Sequence, residues 1–158
     1  MLRDAQSAEV DRLAQIWHDG WQDAHASLMP EELRRLRTLE SFRDRLTQRL
    51  ASTRVAELDG EVVGFCTLKN DELYQLFVSS PARGTGIAAE LVADAEVRLK
   101  QAGFRTAWLA CAIGNDRAAR FYEKCGWTRT GSSLLAVETT EGPFDIEVWR
   151  YEKRLDGA

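Results

Sequence analysis

The chain has few residues of the kinds that build covalent or metal-bound frameworks. Cysteine occurs three times in 158 residues, as Cys66, Cys111 and Cys125, with no C-x-x-C pair. So odd and scattered a set supplies neither a disulfide framework nor zinc spacing, and reduced thiols in a cytoplasmic protein are expected. Histidine occurs twice; His18 and His25 lack a partner carboxylate at ligand spacing, so no metal site is expected. Long apolar runs are missing. Nothing approaches the ~18 residues of a membrane span, and the opening MLRDAQSAEVDRL has no signal-peptide core. No membrane partner and a cytoplasmic location follow. An excess of positive charge is missing too. Lysine and arginine number 21 against 25 acids, a net charge of −4, which gives no electrostatic reason to expect nucleic acid. The basic stretch Glu32-Leu-Arg-Arg-Leu-Arg37 is balanced by nearby acids.

What is present suits a globular chain with a buried core: 44% hydrophobic and 29% charged residues. One domain over 1–158 is expected, with neither repeat nor linker. Val10, Leu13, Ala14, Trp17 and Trp21 fall at helical spacing within residues 7–24, with Ser7 placed to cap the start. Gly20 raises the chance of an end or a bend there. A second helical region opens at Pro30-Glu31-Glu32, and its apolar residues lose register, which predicts a break near Thr38. Arg54–Leu58, Asp59-Gly60 and Glu61–Leu68 read as a hairpin on a primed turn. Leu73–Ser79 is a third strand, followed by a helix to about Lys100 with Gly103 at its C-cap. Thr106–Ile113 is a near-continuous apolar strand. A short helix follows over Arg117–Lys124, capped by Asn115-Asp116 and ended by Gly126. Two strands, near 127–138 and 144–153, close the chain. A strand–helix–strand inside this order predicts one parallel pair within a mostly antiparallel sheet, an α+β fold.

The chemistry-bearing stretch is SSPARGTGIAAELVADAEVRL, Ser79 to Leu99. Glycines between a strand and a helix let the backbone turn tightly and approach a ligand. The first helical N–H groups have no internal partner, so with the helix dipole they form an anion site suited to phosphate. A P-loop is excluded, because its lysine is absent. A dinucleotide fingerprint, G-x-G-x-x-[GA], is formally met by Gly84-Thr85-Gly86-Ile87-Ala88-Ala89. It stands past the middle of the chain, however, and the next strand ends without the acid expected about 20 residues on.

A third reading rests on two motifs together. Arg83-Gly84-Thr85-Gly86-Ile87-Ala88 follows R-x-x-G-x-[GA], led by Leu76-Phe77-Val78. At the appropriate distance comes Asn115-Asp-Arg-Ala118-Ala-Arg-Phe-Tyr122-Glu-Lys-Cys-Gly126-Trp127, matching N-x-x-A-x-x-x-Y-x-x-x-G-[FW] at each fixed position. The pair resembles the acyl-CoA signature of the GNAT superfamily of N-acetyltransferases, over about Arg54 to Lys153. The resemblance implies the GNAT fold, acetyl-CoA as co-substrate, and direct acetyl transfer to an amine. It implies that the middle strands splay, that the main chain of Leu76, Phe77 and Val78 pairs with the pantetheine arm, and that Arg83, Gly84, Thr85, Gly86, Ile87 and Ala88 hold the pyrophosphate. Asn115 would contact the cofactor and also cap its helix.

Tyr122 is the residue expected to act as general acid on the departing thiolate, whose free pKa is near ~8.5. The glutamate that some members carry five residues before the asparagine is Ala110 here, a departure from the ribosomal-protein acetyltransferases. Other branches of the family carry an acid at the start of the third middle strand, so the resemblance makes Glu72 the expected base, with Asp71 and Glu138 behind it. The resemblance places the acceptor pocket at the first helices, where Trp21 and His25, and less so His18, are candidate substrate residues. Cys111 and Cys125 are expected to pack rather than carry the acyl group. The acceptor is left as a small-molecule or protein amine, with slight overall acidity favouring a cationic one. Monomer and homodimer both occur in the family. Two rivals stay open: an acyl-CoA-binding module without transfer activity, to which Ala110 points, and a nucleotide- or NAD-binding protein.

Overall fold

The computed structural model describes residues 1–156. Its backbone is one seven-stranded sheet in the order β1-β2-β3-β4-β5-β7-β6, where β1 is Leu2–Asp4, β2 Thr53–Leu58, β3 Glu61–Lys69, β4 Glu72–Val78, β5 Thr106–Ala112, β6 Thr128–Val137 and β7 Phe144–Arg154. Five helices flank it: α1 (Val10–Ala24), α2 (Glu31–Leu36), α3 (Leu39–Gln48), α4 (Ile87–Gln101) and α5 (Asp116–Lys124). β4 and β5 form the one parallel pair; the other pairings are antiparallel.

Alternation along the strands makes two cores. Val55 and Phe65 face α1 and α3, where Leu13, Trp17, Phe42 and Leu46 are buried. Their neighbours Ala56 and Cys66 face the opposite side, against Leu91, Val92, Ala95 and Leu99 of α4. One residue of offset thus assigns each side chain to a different layer. A fully buried Phe or Leu in either core is worth about 1.5–3 kcal/mol.

Several local expectations hold. Asp59 and Gly60 both have positive φ, as a primed turn requires. Thr38 separates α2 from α3 and caps the latter, its side chain accepting from the Ser41 N–H at 3.1 Å. Gly103 (φ 97°) follows the last turn of α4. Others are corrected. The N-terminal cap is Gln6, in a reciprocal capping box with Glu9, and not Ser7. Strand β1 was not anticipated, since three residues are too few to show alternation. Gly20 does not end α1, which continues to Ala24. A Cβ at that position would lie 2.5 Å from Cδ1 of Phe77, so glycine lets the helix approach β4 closely.

Candidate active site

Strands β4 and β5 meet at a single register pair, Glu72 with Trp108. The indole of Trp108 donates to Asp71 Oδ1 at 3.0 Å, which ties the two strands together at this end. Beyond it the strands part, while β5 stays paired with β7 over its whole length. On its other side β4 pairs with β3, but the register skips Tyr74, a bulge beside the split. The main chain of Leu76, Phe77 and Val78 therefore has one paired edge and one open edge facing the gap.

A cleft of about 430 Å³ fills that gap, between Leu76–Val78 on one wall and Ala110, Cys111 and Ala112 on the other. Gly84, Gly86, Ile87, Ala88 and Ala89 line its mouth. Gly84 and Gly86 have φ of 80° and 87°, a region costly for any residue with a Cβ. The first main-chain bond of α4 runs from the Glu90 N–H to the Gly86 carbonyl, so the N–H groups of Ile87, Ala88 and Ala89 have no acceptor within the helix. Those donors, the helix dipole and the strand edge fit a ligand combining a phosphate with an extended amide-bearing arm. Thr85 does not line the cleft; its hydroxyl donates back to the Ala82 carbonyl. The Arg83 guanidinium is also at the mouth, held by Asp23 at 2.9 Å.

Asn115 and Tyr122 stand on the cleft wall. Asn115 caps α5, its Oδ1 accepting from the Ala118 N–H at 3.3 Å, and its amide nitrogen lies 3.4 Å from His25 Nε2. Tyr122 packs edge-on against Phe121 and Trp127. Burial pushes its phenol well above the usual value, so it stays protonated, and among the described residues its hydroxyl has no hydrogen-bond partner. Burial likewise pushes the Cys111 thiol up to about 11, which removes it as a nucleophile at neutral pH.

A second cavity, of about 130 Å³, adjoins the first through His25, Tyr74, Gln75, Ala110 and Ala112. Trp21 and Glu72 line it. Glu72 is only 6% exposed, and burial pushes its carboxyl up to about 7, against the pull of Lys69 and Arg49. A carboxyl poised there can take a proton from an ammonium at neutral pH. His25 is held neutral, its pKa pushed down to about 4 by burial, with Nδ1 unpartnered. His18 lies 3.4 Å from Asp19 Oδ1 and edge-on to the Phe42 ring, and lines neither cavity.

Three of the residues around this cavity escaped sequence reasoning. Arg37, Arg45 and Lys69 line it, together with Glu138. Arg37 is 4% exposed and Arg45 9%. Arg37 donates to the main-chain carbonyl of Glu138, and Arg45 to the Tyr74 hydroxyl at 2.8 Å while lying 4.4 Å over the Trp17 ring. The Glu138 carboxylate is taken by Arg49 at 2.6 Å and Lys69 at 3.3 Å. Within the basic stretch Arg35 pairs with Glu141 at 3.5 Å, whereas Arg37 has no acid as its partner. The cavity is locally cationic, opposite in sign to the net charge that favoured a cationic acceptor. One signal was available: Arg45 sits beside Phe42 and Leu46 on the apolar stripe of α3.

A family model described as "Acetyltransferase (GNAT) family" matches residues 10–127. The chain belongs to the GNAT acetyltransferase family. An uncharacterized N-acetyltransferase of Mycobacterium bovis is 31% identical to it over 101 residues, a match covering 61% of this chain and 65% of that protein. A GCN5-related N-acetyltransferase structure from Rhodopseudomonas palustris superposes with a TM-score of 0.77 at 21% identity, covering 98% of this chain and 94% of that one. A GNAT phosphinothricin acetyltransferase from Sinorhizobium meliloti, solved with AcCoA, gives 0.70 at 18%, covering 98% and 87%. The fold of this GNAT chain is therefore the one its two motifs implied.

Proposed function

We propose that this GNAT chain is an enzyme that transfers an acetyl group from acetyl-CoA to a primary amine by direct attack. The split between β4 and β5 beside the left-handed glycines is the observation that carries this reading. Leu76, Phe77 and Val78 would pair through their main chain with the pantetheine amides. The N–H groups around Gly84, Gly86, Ile87 and Ala88 would hold the pyrophosphate, with Arg83 released from Asp23 to join them and Thr85 contributing only its main chain. Asn115 would face the pantetheine arm.

The amine enters from the smaller cavity, between Trp21, His25 and Glu72. Of the two protons an ammonium must lose, one goes to Glu72 and then to solvent. The free amine attacks the thioester carbonyl, the C–N bond forms, and the C–S bond breaks. The second proton ends on the sulfur. Tyr122 serves as hydrogen-bond donor to the departing thiolate; a phenol raised by burial stabilises that charge better than it surrenders its proton to a thiol of pKa ~8.5. Orientation of the two bound reactants supplies most of the rate, with acid–base contributions of roughly 10²–10⁴ in addition.

Supporting this reading are the acetyl-CoA in the phosphinothricin acetyltransferase neighbour and the CoA in a PaiA N-acetyltransferase structure of the same fold. The three free cysteines suit the reducing cytoplasm as its compartment. A binding module without transfer is favoured by Ala110, where some relatives carry a base; Glu72 offsets that loss. The deciving test is a melting shift with acetyl-CoA, with NAD as control, followed by CoA release on an amine panel. Acetyl-CoA at 100 times its dissociation constant adds about 2.7 kcal/mol of stability. A shift with NAD alone would refute the reading, and a shift with acetyl-CoA but no product on any amine would select the binding module.

A further inference from the structure

Among the described residues, Arg37 and Arg45 are the arginines that are most buried, and neither makes an ion pair, whereas fourteen other basic or histidine side chains do. Arg37 has a main-chain carbonyl as its partner, and Arg45 a phenol and two aromatic faces. The Nε of each is buried with no acceptor. The acid nearest to hand, Glu138, is occupied by Arg49 and Lys69. Glu72, the other acid on the cavity wall, makes no ion pair with either arginine. Burying a cation without a counter-charge is costly, and breaking even with a neutral acceptor leaves the charge uncompensated.

Building on the transferase reading above, we infer that the acceptor is a compact amine that also carries a carboxylate, an amino acid rather than a polyamine or aminoglycoside. Its carboxylate supplies the missing counter-charge to Arg37 and Arg45, and its ammonium faces Glu72. The guanidinium fork matches a carboxylate in two hydrogen bonds. Cationic and anionic groups on the wall of one cavity complement a zwitterion. The cavity, at about 130 Å³, is well below the ~300–1,000 Å³ of drug-sized pockets, which suits a small acceptor.

The test uses the full chain and matched triplets: the proteinogenic and ω-amino acids, their methyl esters, and their decarboxylated amines. CoA release should favour at least one free amino acid over its ester and its amine by about 10- to 100-fold in kcat/KM, the loss expected for an unmade bond to a buried charge. Arg37→Gln should erase most of that preference, and Arg37→Lys should restore part of it. The acetyl-CoA melting shift, read on each variant, certifies the fold. Esters or amines used as well as the acids would overturn the proposal, as would a preference unchanged in Arg37→Gln. Acetyl-CoA binding with no carboxylate-bearing acceptor acetylated would overturn it too. Failure of acetyl-CoA to bind would instead sink the transferase reading. The anion site is then judged by the melting shift given by the amino acids alone: present in the parent and absent in Arg37→Gln supports it, and absent in both refutes it.

Discussion

Replacing Glu72 by glutamine separates catalysis from stability, because the two respond in opposite directions. Burial holds the Glu72 carboxyl at about 7 against an ordinary 4.5. The folded chain therefore binds more protons than the unfolded one between those values, and stability falls as pH rises through that window. Above pH 7 the full cost is present. The rise from 4.5 to about 7 corresponds to roughly 3 kcal/mol, at about 1.36 kcal/mol for each tenfold change in proton affinity, an upper figure that a neutral glutamine removes. Glu72→Gln should thus melt several degrees higher than the parent at pH 8, and near the parent at pH 4. Its kcat/KM should drop by about 10²- to 10⁴-fold. In the parent, ionised Glu72 rises from about 9% at pH 6 to about 91% at pH 8, so kcat/KM should climb roughly tenfold across that range. The decisive assay compares two amines, one alkyl with pKa ~10.4 and one α-amino with pKa ~7.7–8.0. If Glu72 is the base, the acidic limb stays near pH 7 for both and vanishes in Glu72→Gln. A limb that moves with the pKa of the amine, or one that survives in the variant, would refute the assignment.

Tyr122→Phe removes one hydrogen bond to a developing thiolate, worth about 1.5–3 kcal/mol, so kcat should fall roughly 10- to 150-fold with acetyl-CoA affinity unchanged; stopped-flow turnover beside calorimetric titration measures both. Gly86→Ala forces a Cβ into a left-handed backbone (φ 87°) at about 1–2 kcal/mol. The melting point should drop and acetyl-CoA binding should weaken, even though the added methyl would meet nothing within 4 Å. Gly20→Ala drives a methyl to 2.5 Å from the Phe77 ring; a loss of about 1–3 kcal/mol is expected in denaturant melts, together with a weaker cofactor shift as Phe77 and its strand are displaced.

Much of the larger cleft, proposed above for the cofactor, was legible because its backbone features are local. Gly84 and Gly86 sit next to the helix whose N–H groups they expose, and Asn115 caps the helix that carries Tyr122 seven residues on. Such devices occupy a few consecutive positions and leave a pattern in the chain. Strand β1 was illegible for the opposite reason, since Leu2–Asp4 is recognisable only by its pairing with Arg54–Ala56. Gly20 looked like a helix breaker because the ring that demands it, Phe77, is 57 positions away.

By itself the sequence determined the order of elements from α1 onward, the primed hairpin turn, the break at Thr38, and the glycine turn ahead of α4, each set by backbone preferences acting over a few residues. Only the tertiary structure decided how far β4 and β5 part, which carboxyl is buried enough to titrate near neutrality, and which charges are left without partners. Arg37 and Arg45 come from the segment around α3, Lys69 and Glu72 from the β3–β4 turn, and Glu138 from beyond β6. Their burial and mutual distances are properties of packing, and electrostatics in a cavity depends on both far more than on the net charge of the chain.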